Sequence, residues 1–235
     1  IRKGEVAKTS QINTQTYLEI FERLLSSGRD VLYIAFSSGL SGSYQNACVV
    51  AAELRNKYPE RKLIVVDSLS ASAGEGYLVY HAALQKDQGK TIEEAAEWVE
   101  NNKLRLNHWF VVDDLMHLKR GGRISQTAAI AGSILEVKPV LNFDNEGKII
   151  ARDKVRSRRK ALKELVAKMK QNFQGTSENV IFISHADCEE DAQTVASLVQ
   201  ETFGTKEIVI TYIGPIIGAH VGTGTVALFY FGDKR

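Results

Sequence analysis

Apolar positions along the chain alternate between two patterns, helical stripes and short unbroken runs. Over residues 14–27, Leu18, Phe21, Leu24 and Leu25 recur at helical spacing behind the polar cap candidates Asn13 and Thr14, with Gly28 as the stop. Residues 31–36, Val-Leu-Tyr-Ile-Ala-Phe, are apolar without alternation, which predicts a strand covered on both faces. A helix over 44–58 and a short buried strand over 63–66 follow, then Asp67-Ser68. Residues 73–88 and 91–101 read as helices, the second opened by a Thr91 to Glu94 capping box, and 108–112 as strand. Beyond a short basic segment, the pattern predicts a helix around 124–135. A hairpin follows, with arms over 137–143 and 148–153 and a turn at 144–147. A helix over 157–173, a strand over 180–184, a helix over 187–203 and strands over 207–212 and 226–231 complete the chain.

Strand and helix alternation of this kind implies an α/β fold, with a mainly parallel sheet in the amino-terminal part. Two lobes are expected, divided near Gly132: a parallel-sheet α/β lobe over 1–132 and a second α/β lobe with a mixed sheet over 133–235. No internal repeat or low-complexity linker separates them, so a cleft between them is the natural place for a ligand. Residues 1–8 do not read as the opening of a domain.

Composition narrows the classes. Charged residues are 25% and apolar residues 44% of the chain, values of a folded protein rather than a disordered one. A net charge of +2 is far below that of a phosphate-tracking surface, and neither basic cluster is interleaved with aromatic side chains on which bases could stack. No nucleic-acid partner is therefore expected. Cys48 and Cys188 are distant and lack Cys-x-x-Cys spacing, so neither a metal site nor a disulfide framework is expected. No run approaches the roughly 20 apolar residues that span a bilayer, and no leader is visible, so a cytoplasmic protein with at most transient membrane contact is expected.

The most informative segment is Ser37-Ser38-Gly39-Leu40-Ser41-Gly42-Ser43, where a buried strand ends and a helix begins. Ligands of open α/β sheets bind there, and hydroxyls, glycine amides and a helix amino terminus suit a carboxylate or phosphate. The plainer alternative is a Ser/Gly turn that caps the helix. A serine nucleophile is a further alternative, as in an esterase or lipid-hydrolysing enzyme using Ser41 and His220. The nucleophile elbow Gly-x-Ser-x-Gly, however, is missed by one residue, since Ser43 stands where the last glycine belongs. Near the end, residues 214–225 read as a glycine-dense loop around His220. Gly222-Thr223-Gly224 satisfies a relaxed dinucleotide pattern, but the strand that follows ends the chain and leaves no room for a βαβ unit. Basic clusters lie at 119–123 and 154–160 and include Arg120, Arg123 and Arg156. A solvated face is the common explanation for such runs; an anionic headgroup or an acidic protein partner is the functional one.

Taken together, Thr9-Ser10-Gln11, Ser37-Ser38 with Leu40-Ser41-Gly42-Ser43-Tyr44, Asp67-Ser68, Asp114-Leu115 with Leu118-Lys119-Arg120-Gly121-Gly122-Arg123-Ile124, Lys138-Pro139 and the 214–224 stretch resemble the DegV family, in that family's order. The resemblance implies a fatty-acid-binding protein without catalytic residues, metal or cofactor. It implies, further, a FakB-like acyl carrier that presents its long-chain fatty acid to a separate fatty acid kinase subunit. Carried over by position, Thr9, Ser37, Ser38, Ser41, Gly42 and His220 surround the carboxylate, while Arg120, Arg123 and Arg156 belong to a kinase-facing or phosphate-handling surface. The sequence departs from the family pattern in three places. No Asp-Ser-x-x-Asp segment precedes Thr9, Ala219 stands before His220 where threonine is common, and Thr223 replaces a usual proline.

Physical reasoning agrees. A tail of about 16 carbons contributes on the order of 12 kcal/mol when buried, at about 0.8 kcal/mol per methylene, against association costs of about 4 to 15 kcal/mol. The carboxylate must therefore keep its hydrogen bonds, which hydroxyls and an imidazolium could supply.

Overall fold

The computed structural model describes residues 3, 5–124, 137–176 and 179–235. These divide into two compact units, one comprising Ser10–Ala71 and Glu75–Lys103, the other Ile1–Thr9, Ser72–Gly74 and Leu104–Arg235.

The smaller unit holds α1 (Thr14–Ser26), β1 (Val31–Ala35), α2 (Ser43–Lys57), β2 (Leu63–Asp67), most of α3 (Ala73–Asp87) and α4 (Ile92–Asn102). Asn13 Oδ1 accepts the Thr16 N–H at 2.9 Å and starts α1. Its other end closes on Gly28, whose φ of +80° lets the Gly28 and Arg29 amides reach the Leu25 and Leu24 carbonyls. Strands β1 and β2 pair in parallel from Val31 opposite Leu63 to Ala35 opposite Asp67. Tyr17, Phe21 and Leu25 of α1 and Ala47, Val50, Ala51 and Leu54 of α2 form the core over them. The Thr91 to Glu94 capping box is present, with Thr91 Oγ1 accepting the Glu94 N–H and Glu94 Oε2 accepting the Thr91 N–H.

The larger unit is built on a sheet of order β5-β4-β3-β8-β6-β7. Its strands are β3 (Leu106–Val111), β4 (Val137–Phe143), β5 (Ile149–Arg156), β6 (Ile181–His185), β7 (Ile208–Tyr212) and β8 (Val226–Phe231). Its described helices are α5 (Met116–Arg120), α6 (Arg158–Asn172), α7 (Glu189–Phe203) and α8 (Pro215–Val221). Alternate residues of β8, namely Val226, Leu228 and Tyr230, share one buried cluster with Leu162, Leu165 and Met169 of α6 and Val195 and Val199 of α7. The opposite face is buried as well: Phe229 meets His108 edge-on, and His108 stacks on Phe143 at 4.6 Å. Among the described residues, no helix is long and apolar enough to cross a membrane.

One expectation is corrected. The units do not part near Gly132, because β3 lies in the larger sheet, antiparallel to both β4 and β8, with Leu106 opposite Phe231 and Val111 opposite Val226. That pairing joins segments more than a hundred residues apart, and no local hydrophobic pattern encodes it. The expected pairing of a parallel sheet with a mixed one is present: β1–β2 are parallel in the smaller unit, and in the larger sheet β6–β7 are parallel and the other pairings antiparallel. The helix expected over 124–135 falls, apart from Ile124, outside the described residues.

Candidate functional site

In the smaller unit the loop from Phe36 to Gly42 joins β1 to α2, and hydrogen bonds fix its course. Ser37 is fully buried; its N–H donates to the Ser70 carbonyl at 2.9 Å, and its Oγ accepts the Gly39 N–H at 3.2 Å. Asp67, at the end of β2, accepts the N–H groups of Ser38 at 3.2 Å and Leu69 at 3.0 Å, which ties both strand ends together. Ser41 Oγ lies 3.0 Å from Ser43 Oγ and accepts the Ser43 N–H at 3.3 Å. Among the described residues Ser43 is the hydrogen-bond partner of the Ser41 side chain. Ser38 is half-buried, and its hydroxyl makes no hydrogen bond among the described residues, unlike those of Ser37 and Ser41. Gly42 caps α2, and a Cβ there would collide with Gln11 Oε1, so the loop backbone and the Gln11 side chain are closely fitted.

In the larger unit α5 and α8 lie together beside the segment ending at Thr9. A cavity of about 260 Å³ opens between them, lined among others by Lys8, Thr9, His117, Arg120, Arg123 and His220. Lys8, Arg120 and Arg123 outweigh the one lining carboxylate, Glu5, so the cavity favours an anion. Thr9 Oγ1 and His220 Nε2 are 2.7 Å apart, a hydrogen bond across 211 positions of sequence. Burial, and then the charge of Arg123, lower the His220 pKa, so the imidazole is neutral near pH 7. Both causes oppose the imidazolium expected from sequence. Arg120 NH2 lies 3.1 Å from His117 Nδ1, and because a guanidinium can only donate, Nδ1 accepts and a neutral His117 carries its proton on Nε2.

Local sequence explains these placements. Gly214 and Pro215 start α8, and Thr225 Oγ1 donates to the Val221 and Gly222 carbonyls at its other end. His220 therefore sits on a short helix and not, as glycine density suggested, in a loop. Helix α5 closes in the same way as α1: Gly122 has a φ of +71°, its N–H donates to the Lys119 carbonyl, and the Arg123 N–H donates to the Leu118 carbonyl. His117, which the motif reading passed over, belongs to the same cavity; its spacing of three from Arg120 on α5 was the available signal. Arg156 is exposed at the end of β5 and does not line the cavity. The basic segment near it is engaged elsewhere: Arg158 makes a two-pronged pair with Asp191 at 2.8 and 2.9 Å. Asp113 accepts Lys138 Nζ at 2.9 Å, and Arg158 NH1 is 3.5 Å away. Of the expected carboxylate ligands, Thr9 and His220 are thus brought into contact, while Ser37, Ser38, Ser41 and Gly42 share one loop of the other unit. No cluster of metal-ligating side chains occurs among the described residues.

A small parallel pair of strands, a larger mixed sheet and a Thr–His contact under a Gly-Gly helix cap define an α/β protein of the DegV type. The family model described as "Uncharacterised protein, DegV family" matches residues 1–233, and the chain belongs to the DegV family. It is 45% identical over 235 residues to a DegV domain-containing protein of Clostridium perfringens, covering all of this chain and 81% of that protein. The structure of a fatty acid binding DegV family protein from Streptococcus agalactiae superposes with a TM-score of 0.85 at 30% identity, over 98% of this chain and 80% of that one. The Streptococcus pneumoniae fatty acid kinase B3 protein, solved with linoleic acid, has the same fold, with a TM-score of 0.88 at 22% identity over 98% of this chain and 80% of that one.

Proposed function

We propose that this chain binds a long-chain fatty acid in the cytoplasm and presents its carboxylate to a fatty acid kinase subunit, without itself catalysing a reaction. The observation that carries the reading is the Thr9–His220 pair, a hydroxyl and a neutral imidazole meeting in a cavity edged by Lys8, Arg120 and Arg123. A fatty-acid carboxylate taken there accepts a hydrogen bond from the Thr9 hydroxyl, whose oxygen in turn accepts the His220 Nε2–H, while the arginines supply longer-range attraction without a buried ion pair. Ser38 and Ser41, with Ser37 and the Gly42 amide, serve as further carboxylate ligands; Ser38 has its hydroxyl free of other bonds among the described residues, whereas Ser37 Oγ already accepts the Gly39 N–H. Arg156, exposed and outside the cavity, fits a partner-facing role, in which a charge steers and orients an acidic surface. The bound fatty acid is the only small molecule the role requires.

The test is a titration of the delipidated protein with palmitate and with methyl palmitate. Both have the same tail, but the ester lacks the charge that strengthens the headgroup hydrogen bonds, each of which contributes about 1.5 to 3 kcal/mol. Palmitate is expected to bind at least about tenfold more tightly, the factor that 1.4 kcal/mol represents. Equal affinities would place the headgroup away from Thr9 and His220.

A further inference from the structure

The motif Gly121-Gly122 contains two glycines, and the structure requires them for different reasons. Gly122 has a φ of +71°, open space around a hypothetical Cβ, and the terminal position of a helix cap. Its requirement is conformational. Gly121 is the reverse case. Its φ of −72° and ψ of −12° are ordinary right-handed helical values that alanine adopts without strain. A Cβ at 121, however, would collide with His220 Nδ1 and stand 3.1 Å from Cε1 and 3.3 Å from Cγ of the same ring. The His220 imidazole lies directly on the bare backbone of Gly121.

The ring needs such a support. His220 Nε2 is held by Thr9, but its Nδ1 is buried without a hydrogen-bond partner among the described residues. A ring bonded at one nitrogen only is free to swing about that bond unless something flat bears on its other edge. Gly121 provides that surface, and Arg123 fixes it in turn: the guanidinium NH1 donates to the Gly121 carbonyl, while the Arg123 backbone N–H is locked to Leu118 in the α5 cap. We propose that Gly121 is a positioning residue for His220. Its missing side chain makes room for the imidazole, and its peptide, clamped by Arg123, aims Nε2 at Thr9, whose hydroxyl meets the ligand carboxylate.

The role of that aim rests on the fatty-acid reading; the positioning itself does not, and the experiment separates them. Gly121→Ala is compared with the wild-type chain by following the His220 ring in NMR spectra of histidine-labelled protein across pH, and by palmitate titration. The substituted protein should show the ring displaced, with its titration shifted upward toward the ordinary histidine value as it leaves its buried seat beside Arg123. Palmitate affinity should fall at least fivefold. In a His220→Ala background no ring remains to be displaced, so Gly121→Ala should then change affinity less than twofold. If Gly121→Ala alone does not fold, recovery of the fold in the double variant shows the same clash, and failure of both overturns the proposal. An unchanged His220 titration in Gly121→Ala overturns it too, as does an equal loss of affinity in both backgrounds. A displaced ring with palmitate affinity unchanged in Gly121→Ala and in His220→Ala would uphold the positioning role and count against the headgroup reading alone.

Discussion

Replacing Glu75 with glutamine is expected to stabilise the protein at pH 8 and to leave its stability nearly unchanged at pH 4. Glu75 lies in the first turn of α3, and burial pushes its carboxyl up from the ordinary 4.5 to about 7. The folded state therefore holds that proton more tightly than the unfolded chain does. Stability from this group is fully present below about pH 4.5 and is lost as pH rises through about 7; above that, the folded protein carries a desolvated carboxylate. At 1.36 kcal/mol per pKa unit, the shift from 4.5 to about 7 corresponds to an upper bound of about 3 kcal/mol. The amino end of a helix favours a carboxylate, but only by about 0.3 to 1 kcal/mol, so desolvation wins. Urea unfolding of both proteins at pH 4 and pH 8 checks this. A gain in Glu75→Gln that is the same at both pH values would show that something other than the buried charge is responsible.

The second large effect is expected at the headgroup. His220→Ala removes the imidazole that bonds Thr9 and holds its hydroxyl toward the ligand carboxylate. A hydrogen bond to a charged group contributes about 1.5 to 3 kcal/mol, so palmitate affinity should fall roughly tenfold to a hundredfold. Thr9→Ala should give a loss of the same order. Because the two side chains also bond each other, their double variant should lose less than the sum of the single losses. Isothermal titration with palmitate reads all three. Affinity preserved in His220→Ala, with the fold intact by circular dichroism, would remove His220 from the site.

Much of the fold was legible because its elements carry local signals. The β4–β5 hairpin followed from two strand-like runs around Asp144 to Gly147, and α4 from its capping box; both are present. Strand β8 stood at 226–231 as expected. What escaped was non-local or short. Nothing within Leu106–Val111 says that its neighbours are β4 and β8, since strand partners are chosen by packing across the sheet. Helix α5 spans five residues, too few to show a periodic stripe, and α8 was hidden by Gly218 within it and by the glycines on either side. At the site, the motif order pointed to Thr9 and His220, which the fold brings to 2.7 Å. The neutral state of His220 depends on burial and on Arg123, and the reason for Gly121 depends on where that ring lies; neither is visible before the chain is folded.

The central claim is that this chain encloses a long-chain fatty acid, and its most direct test is to extract the protein, purified from bacteria, with organic solvent and identify what is released by mass spectrometry. A long apolar site exposed to cellular lipid does not stay empty, given the stabilisation of about 0.8 kcal/mol for each methylene buried. The account predicts a long-chain fatty acid in near-equimolar amount with the chain. Well-folded protein that releases no lipid and also fails to bind added palmitate would contradict it.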